Sequence, residues 1–531
     1  MLDTLFGHSL LFVFLAMGLG AGLGTLSVRG VSFGPAAALF VGLGFGAIDE
    51  RISGAAGLGT FKELGLVLFT YTVGLASGPT FARGLKQGGL KALGVTVAAV
   101  AALAAACAGV AAALGLSAAE RAGLFAGSTT NTPALQAAAE ALDGAGDPVV
   151  AYSLAYPAAV ASMLLVLTLV LGRRMPLPAR LQPPEPAPAA EVLVNWTIEV
   201  HVDGLPTLAE LRDRSPGLAF SRVRHDGTVA VAQGHHRLRR GDAVVAVGPA
   251  ELVAEFCAEV GERSDRHLPL DRTALDFRRI VVSNKAIAGS HVGALDALHE
   301  LGCSITRIRR GDIDLIAEDG LALQLGDRVR VVGPTAALGQ AAVLLGDSER
   351  RLAEVDAFGF AIGTALGLAL GMIRVPLPGG AGLELGAGGG PLVVGLILGV
   401  RVRSGPVVWQ IPQGANLVLR QFGILMFLAA AGLGSGSAFA DAISTPHGWE
   451  LFAAGAVLAG AFAALTPVAL ELALRRDAME TAGLFSGLET QPAALAYAGR
   501  RTDGDERVNL GYALIFPAAM IAKIVAVQFL T

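Results

Sequence analysis

The stretch Ala122 to Gln136, AGLFAGSTTNTPALQ, begins as a membrane helix and then stops being one. Five polar residues, Ser128 to Thr132, precede Pro133 inside one of the most apolar regions of the chain. Backbone broken in this way cannot face lipid; at membrane depth it is tolerated only where it lines a cavity or packs on protein. A second stretch, AGLFSGLETQPAAL from Ala482 to Leu495, partly repeats the first one 360 positions later. What surrounds these two stretches decides the fold.

The surroundings are apolar. Of 531 residues 53% are hydrophobic and only 16% charged, outside the range of soluble domains. The charges are concentrated: residues 175–355 hold 21 of the 40 Lys and Arg and 25 of the 44 Asp and Glu. A charged insert therefore separates two apolar halves, 1–174 and 356–531, each with several runs long enough to cross ~30 Å of hydrocarbon. The net charge of −4 points to no particular partner, and nothing suggests nucleic acid. Cys107, Cys257 and Cys303 are too few and too scattered for a disulfide framework or a metal cluster. No cofactor is expected. The first apolar run lacks a basic leader and a cleavage site, and reads as a retained span. The 70 glycines suit closely packed membrane helices.

Spans are expected near 8–28, 33–49, 61–81, 90–114 and 149–172, and near 356–373, 389–400, 416–436, 449–474 and 509–530. With the N-terminus outside, Arg29, the Arg83/Lys86/Lys91 group and Arg173/Arg174 fall inside. From an inside middle, Arg401/Arg403, Arg475/Arg476 and Arg500/Arg501 also fall inside. The outside loops keep little charge: Asp49-Glu50-Arg51, Glu120-Arg121 and Arg374. This pattern requires five full spans in each half and motif segments that do not cross completely. The fold class is thus an α-helical membrane protein, with five spans and one re-entrant or broken segment in each half.

The halves are repeats. At an offset of 360, Gly127 meets Gly487, Thr130 meets Thr490, Leu135 meets Leu495, Tyr152 meets Tyr512, and Pro157-Ala-Ala meets Pro517-Ala-Ala. GLVLFTYTVGLASG (65–78) meets GILMFLAAAGLGSG (423–436) at 358. Five spans is an odd number, so the second copy is inverted. Inverted repeats with interrupted helices at matching places point to a secondary transporter, with substrate held between the copies.

The insert contains a second, smaller repeat. After a proline-rich linker at 175–190, RLRRGDAVVAVGP (237–249) and ALQLGDRVRVVGP (322–334) match at an offset of 85. Each pairs a Gly-Asp turn with an alternating valine strand. Two small α+β domains are expected at 191–262 and 275–347, and they resemble tandem TrkA-C (RCK-C) regulatory domains.

The candidate substrate-binding residues are Ser128, Thr129, Thr130, Asn131, Thr132 and Pro133 in the first motif and Glu489, Thr490, Gln491 and Pro492 in the second. Hydroxyls and amides can hold a small polar solute. The N–H groups of the helix resuming near Ala134 favour a carboxylate. The competing reading is a capping loop at the membrane surface, with Asn131 or Thr132 as N-cap. Glu489 either carries a proton or reads a substrate ammonium, or it is a hairpin tip in water beside Arg500 and Arg501. Lys523 is a further candidate, as counter-charge to an anion or as a snorkelling lysine. Met163 holds its place in the first half. Thr72-Val73-Gly74 hints at a potassium filter, but Leu75 follows and the repeat shows Ala430-Ala431-Gly432, so Gly74 reads as a packing glycine. His235-His236 reads as a solvated pair on a turn.

The whole chain resembles the aspartate–alanine exchanger family, which includes related exporters of dicarboxylates. GSTTNTPAL (127–135) and GLETQPAAL (487–495) carry the resemblance most specifically. It implies a homodimeric inner-membrane carrier that exchanges or exports small amino or carboxylic acids by alternating access, without ATP hydrolysis. The soluble domains would then answer a cytosolic ligand or stabilise the dimer. Glu489 departs from the uncharged first motif, and a carboxylate there repels a dicarboxylate unless protonated. The rival readings are a cation–proton antiporter centred on Glu489 and a ligand-gated ion channel. The channel lacks a filter sequence and a ring of charges. No catalytic constellation supports an enzyme.

Overall fold

The computed structural model describes residues 8–531 apart from 29, 30, 33, 86–88, 173–192, 216, 266, 269–274, 311–312, 349–355, 377–381 and 503–504. The linker 175–190 and the basic residues Arg29, Lys86, Arg173 and Arg174 lie outside the described residues. The chain divides into two compact units, one of residues 1–187, 360–400 and 416–531 and the other of 188–359 and 401–415.

The first half of the membrane unit contains α1 (Ser9–Thr25), α2 (Ala37–Ile48), α3 (Leu58–Gly84), α4 (Leu90–Leu114), α5 (Ala118–Ser128), α6 (Thr132–Leu142) and α7 (Pro148–Gly172). Ser117 caps α5 in a reciprocal box with Glu120, so the helix has a defined start. Its end comes where the polar run begins.

The insert forms two antiparallel sheets. β1 (Val194–Val200), β2 (Ala219–His225), β3 (Thr228–Val231), β4 (Ala243–Gly248) and β5 (Gly261–Arg263) take the order β3-β2-β4-β1-β5. β6 (Leu275–Val281), β7 (Ser304–Arg310), β8 (Ile313–Ile316) and β9 (Arg328–Pro334) take the order β8-β7-β9-β6. Apart from the extra edge strand the order is the same, so the smaller sequence repeat is also one of topology. Helices α8 (Leu208–Arg214) and α9 (Ala250–Val260) bury their apolar faces in the first core, and α10 (Asp296–Glu300) and α11 (Thr335–Leu345) in the second. Both Gly-Asp turns hold glycine in the left-handed region, with φ +91° at Gly241 and +93° at Gly326. Asp242 and Asp327 are buried and close the turns by accepting from the N–H of Arg239 and Gln324, each at 2.8 Å. Gly326→Ala is expected to cost about 1–2 kcal/mol, the strain of a Cβ in that region, read by thermal unfolding of the full chain.

The second half contains α12 (Ala357–Gly371), α13 (Gly386–Arg401), α14 (Gln413–Ile443), α15 (Pro446–Leu474), α16 (Ala478–Leu488), α17 (Pro492–Arg501) and α18 (Glu506–Gln528). Helix for helix this repeats α1–α7. Among the described residues, six helices, α3, α4, α7, α14, α15 and α18, are long and apolar enough to cross a membrane, while α1, α2, α12 and α13 are shorter apolar helices. The halves meet through glycine. A Cβ on Gly65 of α3 would lie 2.6 Å from the Gly423 carbonyl of α14, and one on Gly423 would lie 2.7 Å from the Gly65 carbonyl. These residues are equivalent at the 358 offset, so the pseudo-two-fold relation passes through their contact. Gly74 packs on the Leu392 carbonyl and Gly395 of α13, the packing role read for it in the sequence.

The broken segments are hairpins. Gly123 and Gly127 of α5 pack on the Pro148 and Tyr152 carbonyls of α7, so the two helices run parallel. Gly146, after α6, lies against Ala119 at the start of α5. The chain therefore enters on α5, turns at 129–131 and returns on α6. The second copy does the same: Gly483 and Gly487 pack on Val508 and Tyr512 of α18, and Arg507 pairs with Asp477 at the base. From there α18 passes the tips at Lys523, and Leu530 just beyond it accepts from Arg121 Nε at 2.6 Å, near the base of the first hairpin. The hairpins accordingly enter from opposite sides.

Candidate functional site

At each tip the chain is forced through one residue in the left-handed region. Thr130 has φ +49° and Thr490 has φ +59°. A β-branched residue is rare there, and two at equivalent positions mark a retained constraint. The helices then restart. Asn131 Oδ1 accepts from Ala134 N at 2.7 Å and Gln491 Oε1 from Ala493 N at 3.4 Å, with Pro133 and Pro492 in the first turns of α6 and α17. Asn131 is thus an N-cap, as one reading had it, but a buried one.

The two tips bind each other. Thr130 Oγ1 donates to the Glu489 carbonyl at 3.1 Å, and Asn131 Nδ2 donates to Thr490 Oγ1 at 3.0 Å. Lys523 is wholly buried and does not reach outward. Its ammonium donates to the Leu488 carbonyl at 2.5 Å, Thr490 Oγ1 at 3.2 Å and the Thr129 carbonyl at 3.3 Å. An ammonium has three donors, so all are engaged. The two carbonyls end α5 and α16, where the helix dipoles concentrate negative charge. Lys523 is therefore a strut between the two broken helices. Glu489 is 2% exposed, and its Oε1 has no hydrogen-bond partner. It interacts electrostatically with Lys523 without an ion pair between them. The tip is inside protein and not in water.

Not all candidates face this centre. Ser128 Oγ donates to the Gly455 carbonyl of α15 at 3.4 Å, away from the opposite hairpin. Thr129 Oγ1 bonds back to the Phe125 carbonyl at 3.2 Å, so this residue contributes backbone only. Thr132 Oγ1 lies 3.3 Å from the Tyr152 hydroxyl, and Gln491 Nε2 donates to the Tyr156 hydroxyl at 2.8 Å. These two tyrosines complete the cluster. Tyr152 matched Tyr512 in the repeat, which was the only signal pointing to it, and Tyr156 gave none.

In the other unit, the rings of His235 and His236 lie 4.6 Å apart. His236 Nδ1 accepts from Gln233 N at 2.9 Å, and burial, with His235 beside it, holds its pKa below the usual imidazole range. Among the described residues, Glu199, His201 and Glu262 form one group whose ligand atoms could hold a metal ion, all within 4.8 Å of one another.

Ten apolar helices around two opposed hairpins, with charges buried at their tips, define a multi-pass membrane transporter carrying a regulatory insert. Residues 12–172 and 359–531 match the family described as Predicted Permease Membrane Region, and residues 277–346 match the TrkA-C domain. The chain belongs to that permease family, the aspartate–alanine exchanger group that its motifs resemble. It is 38% identical to an uncharacterised transporter of Geobacter sulfurreducens, over 100% of this chain and 99% of the relative. An uncharacterised transporter of Cutibacterium acnes is 39% identical over 99% and 98% of the two chains, and one of Corynebacterium glutamicum 39% over 98% of each.

Proposed function

We propose that the protein is a secondary carrier that exchanges or exports small amino or carboxylic acids by alternating access, and not an enzyme. The observation that carries this reading is the contact of two opposed hairpin tips around buried, mutually bonded polar groups. Such a contact closes a path from either side and opens to one side when a hairpin moves. The N-termini of α6 and α17 supply positive dipole ends for a carboxylate. Thr130, Asn131, Thr132, Thr490 and Gln491 supply hydrogen bonds, Pro133 and Pro492 start the returning helices, and Glu489 supplies a counter-charge for an ammonium. Ser128, Thr129 and Lys523 hold the frame.

We place the carrier in the inner membrane as a homodimer with the N-terminus outside. Its functional divisions are membrane repeats 1–174 and 356–531, the linker 175–190, and cytosolic domains 191–262 and 275–347. A cavity of about 480 Å³ between the two sheet domains, lined among others by Arg212, Gln233, His235, His299, Ser304 and Asp319, supports a ligand-responsive role for them. Vesicles loaded with labelled aspartate, alanine or succinate should show counterflow with at least one; none with any would refute the reading. Asn131→Ala should abolish most counterflow while costing about 1–3 kcal/mol of stability, for the N-cap and the buried bond to Thr490 together. Full activity would remove Asn131 from the site. The orphan oxygen of Glu489 favours one second reading, a cation–proton antiporter, which flux driven by Na⁺ or pH without any organic acid would select.

A further inference from the structure

Helix α6, TPALQAAAEAL, contains three polar side chains, Thr132, Gln136 and Glu140, spaced four residues apart. Residues at that spacing share one helix face, so they form a file along the returning arm of the first hairpin. The file starts at the tips, where Thr132 meets Tyr152. It passes Gln136, which is 4% exposed, and ends at Glu140, which is exposed. Gln136 Nε2 donates to Glu140 Oε1 at 3.0 Å, while Gln136 Oε1 is buried without a partner. A solvated surface pair would not leave an amide oxygen dry. Leaving one unmade inside protein costs about 1–3 kcal/mol, so an orphan acceptor on this polar face has to be explained.

The chemistry of the file is that of acceptors. Around Glu140 lie the Ala387 N–H of α13, which donates to Oε2 at 3.4 Å, and Lys62 and Glu63 of α3. The glycines at the start of α13 leave room beside it: a Cβ on Gly386 would collide with Glu140, and one on Gly388 would lie 3.3 Å from Pro133. The second hairpin has no such file. At the 360 offset Gln136 becomes Ala496 and Glu140 becomes Arg500. The file is therefore no product of the repeat, and it makes the two sides of the carrier chemically different.

We propose that Thr132, Gln136 and Glu140 line the route by which an amino acid passes between the tips and the base of the first hairpin, the Gln136 and Glu140 oxygens receiving its ammonium group. This rests on the carrier reading. The test uses the full chain in proteoliposomes, with Cys107, Cys257 and Cys303 replaced by serine. A membrane-impermeant methanethiosulfonate should label Gln136→Cys and Glu140→Cys but not Ala138→Cys on the opposite face, and external alanine or aspartate should protect position 136. In otherwise unmodified protein, Glu140→Gln, which keeps an acceptor oxygen for its hydrogen bonds from Gln136 and Ala387, should lower alanine counterflow several-fold and leave succinate counterflow unchanged. Wild-type counterflow with position 136 unlabelled overturns the route alone, as does an equal loss for alanine and succinate in Glu140→Gln. No wild-type counterflow with any of these acids overturns the carrier reading beneath it.

Discussion

Lys523→Met is expected to destabilise the membrane unit by about 3–5 kcal/mol, from buried carbonyls left without a donor and a buried carboxylate left without a nearby opposite charge. The substitution keeps length and apolar bulk, and Met163 shows that the scaffold accepts methionine at the equivalent, equally buried place. What it removes is three hydrogen bonds and the positive charge. The carbonyls of Leu488 and Thr129 lose their donor, and Glu489 is left inside protein with no opposite charge. Glu489→Gln in the same protein should restore part of the loss, because it removes the stranded charge. A coupling of about 0.5–3 kcal/mol between the two substitutions is expected for groups in one buried network. Unfolding can be followed at Cys107, which is buried on α4, with a thiol-reactive dye after Cys257 and Cys303 are changed to serine. Strict additivity of the two substitutions would show that Lys523 holds the tips only through its carbonyl contacts.

Gly65→Val is expected to be comparably severe, through packing. Its Cβ would lie 2.5 Å from Phe427 N and 2.6 Å from the Gly423 carbonyl, which are backbone atoms and cannot rotate aside. Inserted volume in a packed core costs about 1–3 kcal/mol when side chains can yield, and more when the neighbour is a helix backbone. α3 and α14 would have to separate where Gly65 meets Gly423. Gly94→Val on α4 is the control, because a Cβ there meets nothing within 4 Å. Equal yields of folded protein from both variants would show that α3 and α14 do not depend on close approach.

Much of this was legible in the sequence because it is local. The polar run ending in Pro133 marked the break, and the constant offset marked the repeat. Odd spans per half then required inversion, and the hairpins enter from opposite sides as that logic demands. The tip chemistry was only half legible. Residue types told that Thr130, Asn131, Thr490 and Gln491 could bond a solute, but not that Thr130 and Asn131 already bond the Glu489 carbonyl and Thr490 across the two halves, or that Gln491 bonds Tyr156. Ser128 and Thr129 look like their neighbours in sequence, and only the helix phase turns their hydroxyls away. Lys523 was judged by its charge. Its partners are main-chain oxygens, which leave no trace in residue identity.

The lysine that has methionine as its counterpart has a thermodynamic meaning. In a carrier made of two identical inverted copies, the state open to one side and the state open to the other would be the same structure turned over, with equal energies. Every difference between the copies at the tips lifts that degeneracy. On the carrier reading proposed above, one amine and one carboxylate, each present in a single copy, are among the differences that set which way the empty carrier rests. On that reading, a library varying positions 163, 523, 129 and 489 is expected to shift the resting preference.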